Sequence, residues 1–115
     1  INLSSLKTLD SYYSFSDCPN LKLFIALKLQ HINSRCFSYC TNLETILTPK
    51  ATIYDWAFWE CPAIKTILAL NGGFSCYCEN CPKCNGTLQQ CLKNGKKFAK
   101  TEEYKKLLTL TPNYS

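Results

Sequence analysis

Phe15, Phe37 and Phe58 stand 22 and then 21 residues apart, each at the same place in the same short pattern. The three copies read Ser14-Phe15-Ser16-Asp17-Cys18-Pro19-Asn20-Leu21, Cys36-Phe37-Ser38-Tyr39-Cys40-Thr41-Asn42-Leu43 and Ala57-Phe58-Trp59-Glu60-Cys61-Pro62-Ala63-Ile64. Phenylalanine, cysteine and an aliphatic recur three residues apart, and a small residue (Ser14, Cys36, Ala57) precedes each phenylalanine. An aliphatic lies upstream (Leu9, Ile32, Ile53), with one extra residue in the first copy, and an apolar column lies downstream (Phe24, Ile46, Ile67). Agreement over so many columns at one period marks a repeat architecture. The physical solution is a coil stacked on itself. One short strand per turn is expected to pair with its neighbours in a parallel sheet, about 4.8 Å apart. The phenylalanines then stack along the opposite wall. No single turn buries its apolar side alone, so stability has to come from neighbouring turns and from the ends.

These columns resemble the BspA-like subclass of leucine-rich repeats, which reads roughly Ile-x-x-x-Ala-Phe-x-x-Cys-x-x-Leu-x-x-Ile-x-Leu-Pro. Ile53 to Pro62 and Cys36 to Pro49 match it closely, and the resemblance covers about residues 6–70. Ser14 and Cys36 depart from it at the alanine position, as do Thr48 and Ala69 where larger aliphatics are usual. The resemblance implies a leucine-rich-repeat solenoid with a short parallel β-sheet on its concave face and a loop or 3-10 convex side. Residues 1–70 then hold about three repeats, and 71–115 form a cysteine-rich C-terminal cap with one or two short helices. The family occurs in surface proteins of bacteria and of some parasitic protists. That implies a protein-binding or adhesion module, extracellular or at the cell surface, with no catalytic residues to carry over. The rival expectation is an intracellular scaffold whose cysteine cluster holds zinc.

The bulk composition sets limits. The chain has 115 residues, 46% hydrophobic and 18% charged, which is globular and not disordered. The net charge of +5 owes much to Lys93, Lys96, Lys97, Lys100, Lys105 and Lys106. Lysines spaced along helices read as a solvated face, so no nucleic-acid partner is expected. No apolar run approaches the roughly 20 residues of a membrane helix, and no signal peptide is visible. The absence of methionine predicts a fragment or a processed form.

Nine cysteines are many for this length. Cys18, Cys40 and Cys61 share a column and read as a buried ladder of small apolar groups, each thiol donating weakly to a loop carbonyl. Cys36 reads as a core substitute for alanine. After the turn signal Asn71-Gly72-Gly73-Phe74, Cys76, Cys78, Cys81 and Cys84 crowd together and Cys91 follows. Extracellular leucine-rich-repeat proteins often end in an Asn-Pro-Phe-x-Cys-x-Cys flank, which Asn71, Phe74, Cys76 and Cys78 loosely resemble, so disulfides are the first reading. A zinc site on Cys76, Cys78, Cys81 and Cys84 is the second, because the CxxC steps have ligand spacing. Free thiols are the third, and a thiol redox enzyme is a remote fourth.

Thr87 is expected to cap a short helix through Leu92, with Gly95 stopping it. Thr101 is expected to cap a second helix, Glu102 to Leu108, whose acids come first and lysines last. Its stripe of Tyr104, Leu107 and Leu108 is expected to cover the open end of the coil. The formal glycosylation sequons at 2–4, 85–87 and 113–115 support secretion only weakly. His31 is the lone histidine and the acidic residues are scattered, so no catalytic set is expected.

Side chains alternate along a strand. With Phe24, Ile46 and Ile67 inward, Ile25, Leu47 and Leu68 face the concave surface, flanked by Leu23, Thr45 and Thr66. These residues are the candidate contact surface for a protein partner or a second copy of the chain. The competing readings are a reversed facing, or a C-terminal segment folded over the column. A second, aromatic surface gathers Tyr12, Tyr13, Tyr39, Trp56 and Trp59, which also reads as partial burial between turns.

Overall fold

The computed structural model describes residues 15–110. Leu9, Tyr12, Tyr13, Ser14 and the sequons at 2–4 and 113–115 lie outside them.

The repeat columns become rungs of a parallel sheet. Strand β1 (Leu23–Ile25) pairs with β3 (Thr45–Ile53), which pairs with β4 (Thr66–Gly72). The register is column for column: Leu23 to Thr45 to Thr66, Phe24 to Ile46 to Ile67, Ile25 to Leu47 to Leu68. β-Branched threonine and isoleucine at these positions favour the pleated conformation. The turn carries a second strand segment that the expectation of one per turn did not include. Strand β2 (His31–Ile32) pairs with Thr52 and Ile53 at the far end of β3, which pair in turn with Asn71 and Gly72. The upstream aliphatics Ile32 and Ile53 therefore sit in this second ladder. Between the two ladders the register of β3 on β4 shifts, because Thr48 faces Ala69 while Thr52 faces Asn71.

Opposite the sheet the turns repeat as faithfully. The rings of Phe15 and Phe37 stack at 5.8 Å and 18°, and those of Phe37 and Phe58 at 5.8 Å and 20°. Phe24 meets Phe37 edge-on at 4.8 Å, which ties the sheet to that row. Asp17, Tyr39 and Glu60 all have φ between 55° and 62°, the left-handed region. Holding a side chain there costs roughly 1–2 kcal/mol per residue. Hydrogen bonds to the next turn offset that cost, with the Asp17 N–H donating to Ser38 O and the Tyr39 N–H to Trp59 O.

Three helices follow: α1 (Pro82–Asn85), α2 (Leu88–Phe98) and α3 (Glu102–Leu110). Helix α2 does not stop at Gly95. It runs through it, because Gly95 lies against the backbone of β4, where an added Cβ would stand 2.0 Å from Ile67 O. The Asn94 amide donates to Lys65 O at 2.9 Å, and the Cys91 thiol donates to Ile64 O at 3.4 Å. Helix α2 thus covers the sheet edge that β4 would otherwise leave unpaired. Thr101 caps α3 as expected, its hydroxyl accepting from the Tyr104 N–H at 3.2 Å. Thr87 makes no side-chain cap bond.

Candidate functional site

The sheet separates two apolar clusters. Phe24, Ile46 and Ile67 lie in the main core with the phenylalanine row. Ile25 and Leu47 point the other way, as the alternation requires, and form a second cluster with Leu27 and Tyr104, joined by Leu68, Phe98, Ala99 and Leu107. The facing of the proposed contact column is therefore as read, but the column is not free. Ile25 is 4% exposed and Leu47 1%. The end of α2 and the Tyr104–Leu107 stripe of α3 cover it, so the stripe lies on the sheet and not at the end of the coil. Leu23 remains 38% exposed, and Thr45, Thr66 and Leu68 are half-buried. A groove of about 350 Å³ stays open beside α3, lined by Leu23, Ile25, Thr45, Leu47, Phe98 and Leu107, with Glu103 at its edge.

The cysteines divide by environment. In the repeat column, the Cys40 thiol donates to Phe15 O and the Cys61 thiol to Phe37 O, both at 2.9 Å. Cys18 donates more weakly, to Ser16 O at 3.6 Å. Burial pushes the Cys36 thiol up to about 12 and Cys40 to about 11, and raises Cys61 as well.

The second group is Cys76, Cys78, Cys81 and Cys84, whose Sγ atoms all lie within 4.8 Å of one another. No pair is bonded. All nine cysteines are free thiols, and Cys78 Sγ and Cys84 Sγ stand 4.0 Å apart against about 2.05 Å for a disulfide. At these separations the disulfide reading of this segment finds no support. Cys78 Sγ accepts a hydrogen bond from the Glu60 N–H at 3.3 Å, and nearby backbone amides favour the thiolate at Cys76, Cys81 and Cys84. Burial nevertheless dominates at Cys76, pushed up to about 11, and at Cys81. Cys84 differs. Burial raises it, but the Glu79 backbone and the neighbouring thiols outweigh that and bring it below its ordinary value.

Two rungs carry the turn wall into this segment. The Arg35 N–H donates to Trp56 O, and the Trp56 N–H donates likewise to Ser75 O, at 3.0 and 2.9 Å. Where Asp17 and Tyr39 donate to a carbonyl of the following turn, Glu60 donates to Cys78 Sγ at 3.3 Å. A sulfur thus takes the place of the next repeat's carbonyl.

The chain matches the BspA-type leucine-rich repeat region, a family described over six copies, across residues 1–93. The chain belongs to the BspA-like leucine-rich repeats. No curated protein and no solved structure matches it. Leucine-rich repeats of this family generally mediate protein interactions.

The BspA-like chain presents its exposed aromatics on the turn wall. Tyr77 is 69% exposed, Tyr39 48%, Tyr54 41% and Trp56 37%. Tyr77 meets Trp56 and Trp59 edge-on at 6.0 and 5.2 Å, and the Arg35 guanidinium lies 4.6 Å from the Trp59 ring centre. Tyr54 and Tyr77 were missed by the sequence reading. The repeat register was the available signal for Tyr54, which directly follows the Ile53 column, whereas Tyr77 joins only through the fold. His31 is exposed, its Nδ1 2.9 Å from the Tyr54 hydroxyl, and is not paired with a cysteine. The six C-terminal lysines are all exposed. Among the described residues, no helix is long and apolar enough to cross a membrane.

Proposed function

We propose that the chain is a protein-binding module of a surface or secreted protein, with an adhesive role and no catalysis. In this reading residues 1–70 form a short solenoid, and the C-terminal segment caps it. Its docking surface is the aromatic ridge of Arg35, Tyr39, Trp56, Trp59 and Tyr77. The observation that carries the proposal is the exposure of Tyr39, Trp56 and Tyr77 together on one wall, with Arg35 stacked among them. Tyrosine, tryptophan and arginine dominate interface hot spots because they offer large rigid contact areas with a polar end. None of these three rings belongs to the buried core, so their exposure is not needed for folding.

The test is adhesion of the displayed chain to a panel of immobilised extracellular proteins, compared with Tyr39→Ala, Trp56→Ala and Tyr77→Ala. The expected result is binding by the parent chain and a loss of at least about tenfold for the Trp56 variant, with unchanged circular dichroism. Equal binding by all variants sinks the ridge as the docking surface.

The open groove beside α3 favours a second reading, in which a partner's apolar side chain enters next to Leu23 and Leu107. A Leu23→Asp substitution tests it, because Leu23 is exposed. The buried Leu47 is unsuitable, since a carboxylate there would unfold the second cluster.

A further inference from the structure

We propose that Cys76, Cys78, Cys81 and Cys84 form a tetrathiolate site for a soft divalent metal ion of the zinc class, which locks the last repeat to the C-terminal segment. The four sulfurs cluster, with every pair within 4.8 Å. At a zinc–sulfur bond of about 2.3 Å, the edge of a sulfur tetrahedron is about 3.8 Å. Cys78 and Cys84 at 4.0 Å are already close to that edge, and the other pairs need to close by about 1 Å at most. Disulfides need sulfurs in pairs, whereas this fold converges all four. Tetrahedral sulfur sets select zinc or iron.

A backbone donor and its place in the ladder support the site. The Glu60 N–H donates to Cys78 Sγ, and such a donor stabilises the charge of a metal thiolate. Glu60 N–H is the donor that, in the two preceding turns, finds a carbonyl of the next repeat. Here it finds Cys78 Sγ. A metal holding that sulfur in place would end the ladder where no further turn supplies a carbonyl. Asn80 adds a clamp from the same segment, its amide 3.2 Å from both Glu60 carboxylate oxygens. Binding converts the four thiols to thiolates and releases their protons to solvent: M2+ plus four R–SH gives [M(SR)4]2− plus four H+. No oxidant or reductant is required.

The test uses the full chain isolated under reducing conditions without chelator. Elemental analysis is expected to find one zinc per chain. The metal-free chain loaded with Co2+ is expected to show thiolate charge transfer and the intense visible bands of tetrahedral cobalt. Cys84→Ser should abolish both, while Cys91→Ala, whose thiol faces Ile64 O, should keep them. Circular dichroism checks the fold, and alkylation of the parent chain gives a readout free of mutation. Bound metal should protect Cys84 from alkylation, and chelator should expose it. One bound iron in place of zinc also supports the site. Octahedral cobalt, an isolated chain four mass units lighter than reduced, or unchanged binding by the Cys84 variant overturns it.

Discussion

Two sets of cysteines in this chain use the same atom in different ways. Cys40 and Cys61 are hydrogen-bond donors, each reaching back one turn to a phenylalanine carbonyl. Cys76, Cys78, Cys81 and Cys84 instead gather in one cluster with every pair of sulfurs within 4.8 Å, and Cys78 accepts from the Glu60 N–H. A donor has to keep its proton, and burial enforces that in the repeats. In the cluster Cys84 falls below its ordinary value, while burial still raises Cys76 and Cys81. The difference teaches that cysteine in the repeat column is a small core residue with a polar edge, interchangeable in principle with alanine or serine. In the C-terminal segment the proposed metal site would need the sulfur itself.

The largest predicted effect concerns the frame on which the donor set hangs. Phe37 lies between Phe15 and Phe58 and supplies the carbonyl that Cys61 reaches. Phe37→Ala is expected to cost about 3–5 kcal/mol, measured by urea unfolding. A smaller loss than Gly95→Ala would mean that the row does not organise the repeats.

Next comes the helix that covers the sheet edge. An alanine Cβ at position 95 meets backbone atoms of Ile67 that have no room to yield, and α2 must lift from β4. Gly95→Ala is expected to cost roughly 1–3 kcal/mol. Hydrogen exchange should report it in β4 and not in β1.

The buried repeat thiols predict a pH dependence. The ordinary thiol value is near 9.0, and burial raises Cys36 to about 12 and Cys40 to about 11. Above pH 9 the unfolded chain gives up these protons while the folded chain holds them, so the unfolded state binds fewer protons and stability falls as pH rises. The window runs from about 9 to about 12. Stability is full below it, and Cys36→Ala should flatten the slope. An unchanged slope would show that the repeat thiols are not buried as protonated groups.

The smallest effect is at Ser38, whose hydroxyl is buried without a hydrogen-bond partner. Ser38→Ala is expected to be neutral or to stabilise by less than about 1 kcal/mol. A clear loss in Tm would reveal a partner for that hydroxyl.

Much of the fold was legible because a repeat writes its contacts several times. Leu23, Thr45 and Thr66 are neighbours in space for the reason that they are equivalent in sequence. The second ladder was harder to see, since Ile32 and Ile53 gave only one apolar position each. The candidate contact column was half legible. Its direction follows from alternation, but its cover depends on Tyr104, far away in the chain. Gly95 was misread because a glycine late in a helix commonly ends it, and nothing local distinguishes that from a close packing contact.

The sequence by itself determined the period, the phenylalanine row, the cysteine column and the inward and outward faces of the strands. Each of these follows from stereochemistry that acts identically in every copy. Only the tertiary structure decided where the non-repeating part goes: α2 on the edge of β4, α3 on the sheet face, and four thiols drawn to one point beside Glu60. Those positions depend on contacts made once, between segments with no copy elsewhere in the chain, so no periodicity announces them.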